Sequence, residues 1–590
     1  MRNIYIKCAW LSLLFMLVVN QVDAQSPDPR NILTGYSIYE NSYIDQPYMV
    51  TLKDGSWLCV FTTGAISESM PGQHIVASRS YDKGLHWTKE VSIEPNTGPI
   101  SSWAIPYLTS FGRIYVFYNY NGDNVSELKG KQIKQLGLLG WYCYKYSDDD
   151  GATWSTERYR LPLTKTSADL KNDFDGKVQM FWGIDKPLLL GKDVLFAFTK
   201  LGKFVQAMGE GWYFKSDNLD KEKNVDKIHW ELLPQGDTGI KNPAFGSVQE
   251  EFNTVILNNG DIYCMYRTTL GFPACTYSRD SGKTWSIPQA ASYTPGGQII
   301  KTPRACPRLF KCKNGKYLFW FHNHSGKNFK GRNPAWIVGG IEKNGLIYWS
   351  QPEILLYDND LTVNGMSYPD LMESNGKYWI SETQKTKARV HYIDVALLNG
   401  LWNQASSRSL IKKGMIANWQ NIEAKKSLAM PILPNLKHGG FTIDLWINLK
   451  DLKPGKILLD SRDGKGKGIW ISTSEKQGLR IDMSNGIDSV QGWDTDSSSL
   501  KIRQNSHVVF VVDGAPNIIT AIVDGKVCDG GASREYGWGR FSDKLEDING
   551  SRKLKISAEG SKIKSLRIYD RYLTTSEVIS NFHYDKKSLN

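Results

Sequence analysis

The sequence predicts an all-β protein, a six-bladed β-propeller followed by a β-sandwich of the jelly-roll type. Three observations indicate this architecture. A turn motif recurs through the first half of the chain, short alternating strands repeat in six units, and both patterns stop after Trp402. Repeated β-meanders of this kind are typical of propeller blades.

The turn motif has the form S-x-D-x-G-x-(T/H)-W and begins at Ser80, Ser147 and Ser278. One copy would indicate only a turn, because Ser and Asp hydrogen-bond their own backbone and Gly tolerates a positive φ. The second interval is about twice the first, so we expect a degenerate copy between them, at Ser216-Asp217-Asn218. The tryptophans that close successive units are Trp87, Trp154, Trp230, Trp285, Trp349 and Trp402.

Each unit also has a common strand pattern, in which an apolar strand, usually opened by a proline, leads through a Gly turn to an aromatic strand. Residues 47–61 and 106–117 show this pattern most clearly. Similar hairpins begin at Pro187, Pro307 and Pro369, whereas the fourth unit starts with Glu251. We therefore expect each unit to form one blade.

The turn motifs are those known as Asp-boxes, and residues 30–405 resemble the sialidase (neuraminidase) superfamily, whose Asp-box or BNR repeats lie on a six-bladed propeller. The resemblance implies a glycosidase. It also implies that the boxes are structural, since in that superfamily they mark outer turns of the blades and take no part in the chemistry.

The N-terminus has the composition of a secretory signal peptide, with a basic start, an apolar run at 9–19 and a small residue at Ala24. We therefore expect a secreted or periplasmic protein. No other stretch is apolar for long enough to span a membrane. The predicted segments are a signal peptide at 1–24, a catalytic propeller at 25–405, a linker at 406–435 and a sandwich at 436–590.

Charge and cysteine content limit the possible partners. The net charge is +12, but the basic residues are interspersed with acidic ones, which favours a glycan or polysaccharide substrate over nucleic acid. Of the eight cysteines, Cys8 lies in the signal peptide, and the remaining odd number shows no zinc-motif spacing. We expect a monomer with no metal in the active site and no cofactor.

The C-terminal region contains alternating strands at 441–447, 507–513 and 519–525. Near its end is the segment Ile568-Tyr569-Asp570-Arg571-Tyr572-Leu573. This segment is similar to the last strand of concanavalin-like (laminin-G-type) domains. The resemblance implies either a glycan-binding domain or one that only packs on the catalytic domain, and it leaves a structural calcium ion open.

Polar residues precede the blade openings, and in a propeller these positions converge on the central axis. They are Asp45, Gln46, Trp103, Asp185, Lys186, Glu250, Glu251, Arg304 and Tyr368. Burial of several charges together requires mutual pairing or a charged ligand. The convergence therefore predicts an active-site pocket on the axis.

The sialidase resemblance implies roles for four residues. Tyr368 would be the nucleophile and Glu251 its base, while Arg267 and Arg332 would hold an anion or substrate hydroxyls. A phenol, with a pKa of about 10, needs such a base and nearby cations to act as a nucleophile. Sialidases are the glycosidases that use a tyrosine in this way.

Two positions differ from the sialidase pattern. Asp45-Gln46-Pro47 stands where the superfamily has Arg-Ile-Pro, whose Arg binds the sialic acid carboxylate. Arg304 is the candidate replacement for this cation. The superfamily's acid Asp is also missing from its usual place, and Asp45, Asp185 or Glu68 would serve instead.

These features predict a secreted sialidase-like glycoside hydrolase that releases a terminal sugar, acidic or neutral, from complex glycans. For an ordinary aldose glycoside the catalytic pair would come from the three carboxylates Asp45, Asp185 and Glu251. One alternative is a polysaccharide lyase acting on uronates, with Tyr368 or the pair His322 and His324 as base and Arg304 neutralising the carboxylate. Another is a glycan-binding protein without catalysis. The further candidates for substrate binding are Gln46, Trp103, Lys186, His322 and His324.

Overall fold

The computed structural model describes residues 28–589 apart from 41, 65–66, 205–206, 364, 438 and 558–559. The predicted signal peptide lies outside these residues. Six antiparallel sheets of four or five strands follow one another along the chain and form the blades of a propeller, which confirms the predicted fold class.

The first three blades are built from consecutive segments of the chain. Their strands are Tyr43–Thr51, Trp57–Gly64, His74–Ser80 and Val91–Ser92 in blade 1; Ser101–Leu108, Ile114–Tyr120, Trp141–Ser147 and Tyr159–Arg160 in blade 2; and Phe181–Trp182, Leu188–Leu190, Asp193–Lys203, Ala207–Ser216 and Glu231–Leu233 in blade 3. A small hairpin, Glu127–Leu128 with Lys131–Gln132, and the short helix Ser167–Leu170 lie in the loops.

The last three blades repeat the pattern, and the last one closes the ring. Their strands are Glu250–Ile256, Ile262–Arg267, Ala274–Ser278 and Gln289–Ala290; Arg308–Lys311, Tyr317–Phe321, Ala335–Lys343, Leu346–Trp349 and Glu353–Leu356; and Ser367–Ser374, Lys377–Thr383 and Lys387–Ile393. The N-terminal strand Tyr36–Glu40 pairs with Lys387–Ile393 and so completes blade 6. The two ends of the propeller are thereby held in one sheet.

The Asp-boxes form the turns that follow the third strands of their blades. In the third box, Ser278 Oγ accepts the Gly282 N–H at 2.8 Å, and Asp280 Oδ1 accepts the Thr284 N–H at 2.9 Å. Gly282 has a φ of +89°, which only glycine adopts without strain. The degenerate copy has the same start, since Ser216 Oγ accepts the Leu219 N–H at 3.0 Å.

The C-terminal domain is a sandwich of two antiparallel sheets around one apolar core. One sheet contains Met415–Ile422, Lys562–Tyr569, Gly440–Asn448, Asn505–Asp513, Ile518–Val523, Lys526–Val527 and Gly539–Arg540; the other contains Ser427–Ala429, Lys553–Ile556, Ile457–Asp460, Gly468–Thr473, Leu479–Ser484 and Gln491–Asp494. Two strands lie inside the predicted linker 406–435, so that part of the expectation is corrected. The helix Val395–Asn403 follows the propeller, and Thr575–Leu589 ends the described chain.

The sandwich packs directly on the propeller. Trp538 and Ile518 of the sandwich belong to the same buried cluster as Trp336 of blade 5. Glu353 of blade 5 accepts the backbone N–H of Thr575 at 3.1 Å, at the start of the terminal helix. The two domains therefore share a core and buried hydrogen bonds.

The described cysteines are all free, and no helix in the described residues is long and apolar enough to cross a membrane. The described part contains one group with metal-ligand spacing, Asp444, His507 and Asp585. Arg567 Nη1 lies 2.6 Å from Asp585 and 3.5 Å from Asp444, so a protein cation already pairs with both carboxylates of that group.

Candidate active site

A β-bulge interrupts the inner strand of four blades at the same level. The strand register shifts after Asp45, Ser102, Glu250 and Ser367. The next residue in each case has a positive φ: Gln46 (49°), Trp103 (58°), Glu251 (57°) and Tyr368 (46°). Bulges redirect side chains, and such strained non-glycine residues are concentrated at functional sites. Here they turn four side chains towards the propeller axis.

These side chains line a pocket of about 410 Å³ to which all six blades contribute. Its wall carries both carboxylates and cations together with aromatic rings. The lining residues are Gln46, Glu68, Trp103, Gln135, Trp182, Ile184, Glu251, Arg267, Arg304, Phe329, Arg332, Gly365, Ser367, Tyr368 and Lys385.

Tyr368 and Glu251 form a buried pair within the pocket. The Tyr368 hydroxyl donates to Glu251 Oε1 at 2.8 Å. Burial raises the pKa of both groups, and neighbouring Arg267 opposes this rise. Tyr368 is therefore a neutral phenol whose proton already points at a carboxylate of increased basicity, the arrangement in which a tyrosine gains nucleophilicity as it loses its proton.

Arg267 holds the two adjacent glutamates. Its Nη1 lies 2.7 Å from Glu251 Oε1, and its Nη2 lies 2.9 Å from Glu250 Oε1. All three side chains are about 1% exposed. Arg304 Nε adds a second contact to Glu250 Oε1, at 2.9 Å. Because Glu250 is shared between two arginines, it orients both guanidinium groups in the pocket wall.

Arg332 is the pocket arginine without a direct ion pair to a described carboxylate. Its Nη1 donates to Ser367 Oγ at 2.6 Å and its Nη2 to the Arg304 carbonyl at 3.2 Å, and it forms no ion pair among the described residues. Phe329 lies near three guanidinium groups, since its ring centroid is 4.6 Å from the Cζ of Arg304, 5.6 Å from that of Arg267 and 5.8 Å from that of Arg332. A guanidinium group in the pocket wall that is not held in a direct ion pair favours an anionic ligand.

A second ion pair forms the opposite side of the pocket. Lys385 Nζ lies 2.6 Å from Asp45 Oδ2 and 4.6 Å from the centre of the Tyr368 ring. Tyr43 donates to the same Asp45 oxygen at 2.9 Å. Glu68 Oε2 lies 3.7 Å from Lys385 Nζ, and the Glu68 side chain is 32% exposed. Glu68 is therefore a carboxyl group of the pocket that remains in contact with solvent.

Comparison with known proteins assigns the propeller. Residues 58–380 match a family model described as a BNR repeat-like domain, and this match covers more than half of the chain. The chain belongs to the BNR repeat-like domain family. Residues 423–579 match the concanavalin A-like lectin/glucanases superfamily, in agreement with the predicted C-terminal domain. No curated protein sequence matches the chain.

Solved structures with a similar arrangement include two sialidases. Trypanosoma rangeli sialidase is 12% identical, with a TM-score of 0.42, over 93% of this chain and 94% of that one. Hadza microbial sialidase Hz136 is 15% identical, with a TM-score of 0.42, over 59% and 66% of the two chains. A Dyadobacter fermentans protein of unknown function is 13% identical, with a TM-score of 0.44, over 61% and 98%.

Eight of the candidate residues of this BNR repeat protein lie in the pocket wall. They are Gln46, Glu68, Trp103, Glu251, Arg267, Arg304, Arg332 and Tyr368. Asp45 does not, contrary to the prediction of a catalytic role. It is fully buried behind Gln46 and Lys385, and its oxygens are occupied by Tyr43, Lys385 and a backbone N–H.

Asp185 and Lys186 also lie outside the pocket wall, contrary to the prediction, and the preceding residue Ile184 lines the pocket instead. Asp185 accepts the backbone N–H of Ala197 at 2.9 Å and that of Thr254 at 3.0 Å, so it joins blades 3 and 4. Lys186 Nζ donates to the Met49 carbonyl at 2.6 Å and thereby joins blade 3 to blade 1. Both charges stabilise the centre of the propeller.

His322 and His324 are buried outside the pocket, which corrects their proposed role in binding or proton abstraction. His322 Nδ1 lies 3.2 Å from the Pro334 carbonyl, and burial lowers its pKa to about 3. His324 stacks on Tyr536 of the sandwich with ring centroids 4.8 Å apart. The first is a core residue and the second a contact between domains.

Sequence reasoning missed several pocket residues, among them Trp182, Phe329 and Lys385. Trp182 lies three residues before the candidate Asp185, and its ring meets Trp103 edge-to-face at 5.6 Å. The signal that could have indicated Lys385 is the unpaired Asp45, since a buried carboxylate requires a cation. Nothing in the local sequence around Phe329 distinguishes it from an ordinary loop residue.

Proposed function

We propose that this protein is a secreted glycoside hydrolase that removes a terminal, anionic sugar from complex glycans. The observation that carries the proposal is the hydrogen bond from Tyr368 to Glu251, within a pocket that also contains Arg267, Arg304 and Arg332. A nucleophile in contact with its base, beside cations that stabilise the developing phenolate, is suited to covalent catalysis.

The first step forms a bond from Tyr368 Oη to the anomeric carbon, while the phenolic proton passes to Glu251. The raised pKa of Glu251 assists this transfer, because a stronger base takes the proton more readily. A neutral nucleophile is also suited to a substrate whose anomeric carbon bears a carboxylate. Arg332, without a carboxylate partner in the described residues, is the cation best placed to bind that group.

Glu68 is the candidate acid for the leaving group. It is the pocket carboxyl group that is not held by an arginine, and its partial exposure allows proton exchange with solvent. It would protonate the glycosidic oxygen in the first step and then remove a proton from the water that releases the sugar from Tyr368. The phenol recovers its proton from Glu251, so the enzyme returns to its starting state.

The test is incubation of the protein with sialylated, uronate-containing and rhamnose-containing glycans, with released monosaccharides identified by mass spectrometry. We expect release of an acidic sugar, and loss of release in the Tyr368→Phe and Glu251→Gln variants. Tyr317→Phe is the matched control, because Tyr317 also donates to a glutamate, Glu342, but lies outside the pocket. Release that persists in Tyr368→Phe would contradict the assigned nucleophile.

The same panel tests the lyase alternative. A tyrosine beside an unpaired arginine would also serve proton abstraction next to a carboxylate. That reaction leaves an unsaturated uronate, which absorbs ultraviolet light, instead of a hydrolysed sugar. Binding of glycans without any product would indicate a glycan-binding protein.

A further inference from the structure

A second cleft, of about 590 Å³, lies between the propeller and the sandwich. It adjoins the axial pocket, because Arg332 and Gly365 line both cavities. The two cavities therefore lie side by side and share the wall formed by Arg332 and Gly365.

The sandwich supplies an aromatic wall to the cleft. Trp493, Tyr536 and Trp538 line it, with Trp493 and Tyr536 partly exposed. On the propeller side, Leu361 and Val363 are 57% and 44% exposed. The Arg534 guanidinium lies 4.3 Å from the centre of the Trp493 ring, so the wall combines apolar ring surface with hydrogen-bond donors. Such a combination binds molecules that present both apolar and hydroxyl surfaces, as sugar rings do.

Contacts between the domains fix this aromatic wall relative to the axial pocket. Tyr536 stacks on His324 with an interplanar angle of 18°, and the Ser325 N–H donates to the Glu535 carbonyl at 2.9 Å. Lys301 Nζ donates to the carbonyls of Asp529 and Arg534 at 2.6 and 2.5 Å. The wall is therefore preorganised, which reduces the entropic cost of binding.

We propose that the sandwich completes the substrate site, and that this cleft binds the sugar units that follow the terminal sugar held in the axial pocket. The inference rests on the proposed function for the identity of the terminal sugar. The occupant is argued from adjacency: the two cavities share Arg332 and Gly365, so the cleft is the neighbouring site for the sugar units that follow one held beside Tyr368.

The expected consequence is that the protein binds a trisaccharide more tightly than the corresponding monosaccharide. The probes are sialyllactose and trigalacturonate, each compared with its free acidic sugar, measured by calorimetry on the Glu251→Gln variant so that no turnover occurs. Adding Trp493→Ala to that variant should weaken trisaccharide binding about tenfold, equivalent to about 1.4 kcal/mol, and leave monosaccharide binding unchanged.

Two further variants separate loss of the cleft from loss of folding. Leu361→Trp fills the cleft from an exposed loop position and should have the same effect as Trp493→Ala. Tyr584→Ala, at a 47% exposed position on the terminal helix outside the cleft, is the matched control and should bind both probes as before. Equal affinity for trisaccharide and monosaccharide, or no binding of either trisaccharide, would overturn the inference.

The outcome also distinguishes this inference from the proposed function. Hydrolysis that is insensitive to Trp493→Ala and Leu361→Trp would retain the function and reject the cleft as a subsite. Trisaccharide binding that depends on both residues, without hydrolysis by the native protein, would reject the function and retain the cleft as a glycan-binding site.

Discussion

Replacing Arg267 with methionine should destabilise the propeller strongly and in a pH-dependent way. Arg267 is 1% exposed and contacts Glu250 and Glu251, which are equally buried. Glu250 keeps Arg304 at 2.9 Å, but Glu251 would retain only the Tyr368 hydroxyl among its described polar contacts. Breaking a buried ion pair from one side costs about 3–5 kcal/mol.

The pH dependence follows from the carboxylate that loses its partner. Burial raises the pKa of Glu251, and removal of Arg267 takes away the main opposing influence. A carboxyl group with a raised folded pKa stabilises the protein while it is protonated, and this contribution is lost as the pH rises. The deficit of the variant should therefore be small near pH 5 and largest near pH 8.

Thermal unfolding measures this effect. With an unfolding entropy of about 2.1 cal/mol/K per residue over the propeller, the loss lowers Tm by about 4–7 °C at pH 8. The control is Arg279→Met, which removes a 48% exposed arginine from Asp261 and should change stability by less than about 1 kcal/mol. A Tm unchanged by Arg267→Met, or lowered equally at pH 5 and pH 8, would refute this account of the ion pairs.

Three further predictions concern the buried carboxyl groups Glu251, Asp185 and Glu353. Because burial raises the pKa of Glu251 above 4.5 and the base must be ionised, the acidic limb of kcat/KM should have its midpoint above that value; a lower midpoint in the pH profile would exclude Glu251 as the base. Asp185→Asn should lower the free energy of unfolding by about 1–3 kcal/mol near pH 4, and by less at pH 8, with KM unchanged, since Asp185 accepts two backbone N–H groups outside the pocket. Burial raises the pKa of Asp185 to about 7, so the stabilising contribution of Asp185 falls between about pH 4 and 7. This pH dependence of the free energy of unfolding should vanish in the variant. A change in kcat/KM with unaltered unfolding would contradict the structural role. Glu353→Gln should loosen the domain junction at the start of the terminal helix and speed limited proteolysis between the domains, and an unchanged cleavage rate would show that this contact does not hold the junction.

Local sequence was sufficient to predict the blades. The Ser, Asp, Gly and Trp of each Asp-box act within a single turn, and their hydrogen bonds span four residues or fewer, as Ser278 with Gly282 illustrates. The number of copies and their spacing then determine how many blades the chain can form. The signal peptide and the location of the protein remain predictions, since they rest on the N-terminal sequence alone.

The site was predicted only in part, because the position of each side chain depends on the register of its strand. At Gln46, Glu251 and Tyr368 the residue next to the blade opening faces the axis, as a bulge turns it inward. In blade 3 the residues that reach the pocket are Trp182 and Ile184, and Asp185 joins two blades instead. A shift of one residue reverses the face of a strand.

The sequence by itself determined a six-bladed propeller, a C-terminal sandwich, and a pairing of Tyr368 with Glu251 implied by resemblance. These depend on turn chemistry, strand alternation and short motifs, which are local. The tertiary structure alone decided that Asp45 is neutralised by Lys385, 340 residues away, and that Arg304 shares Glu250 with Arg267. It also brought Trp493 and Tyr536 beside the axial pocket, because contacts between distant segments follow from packing and not from chain proximity.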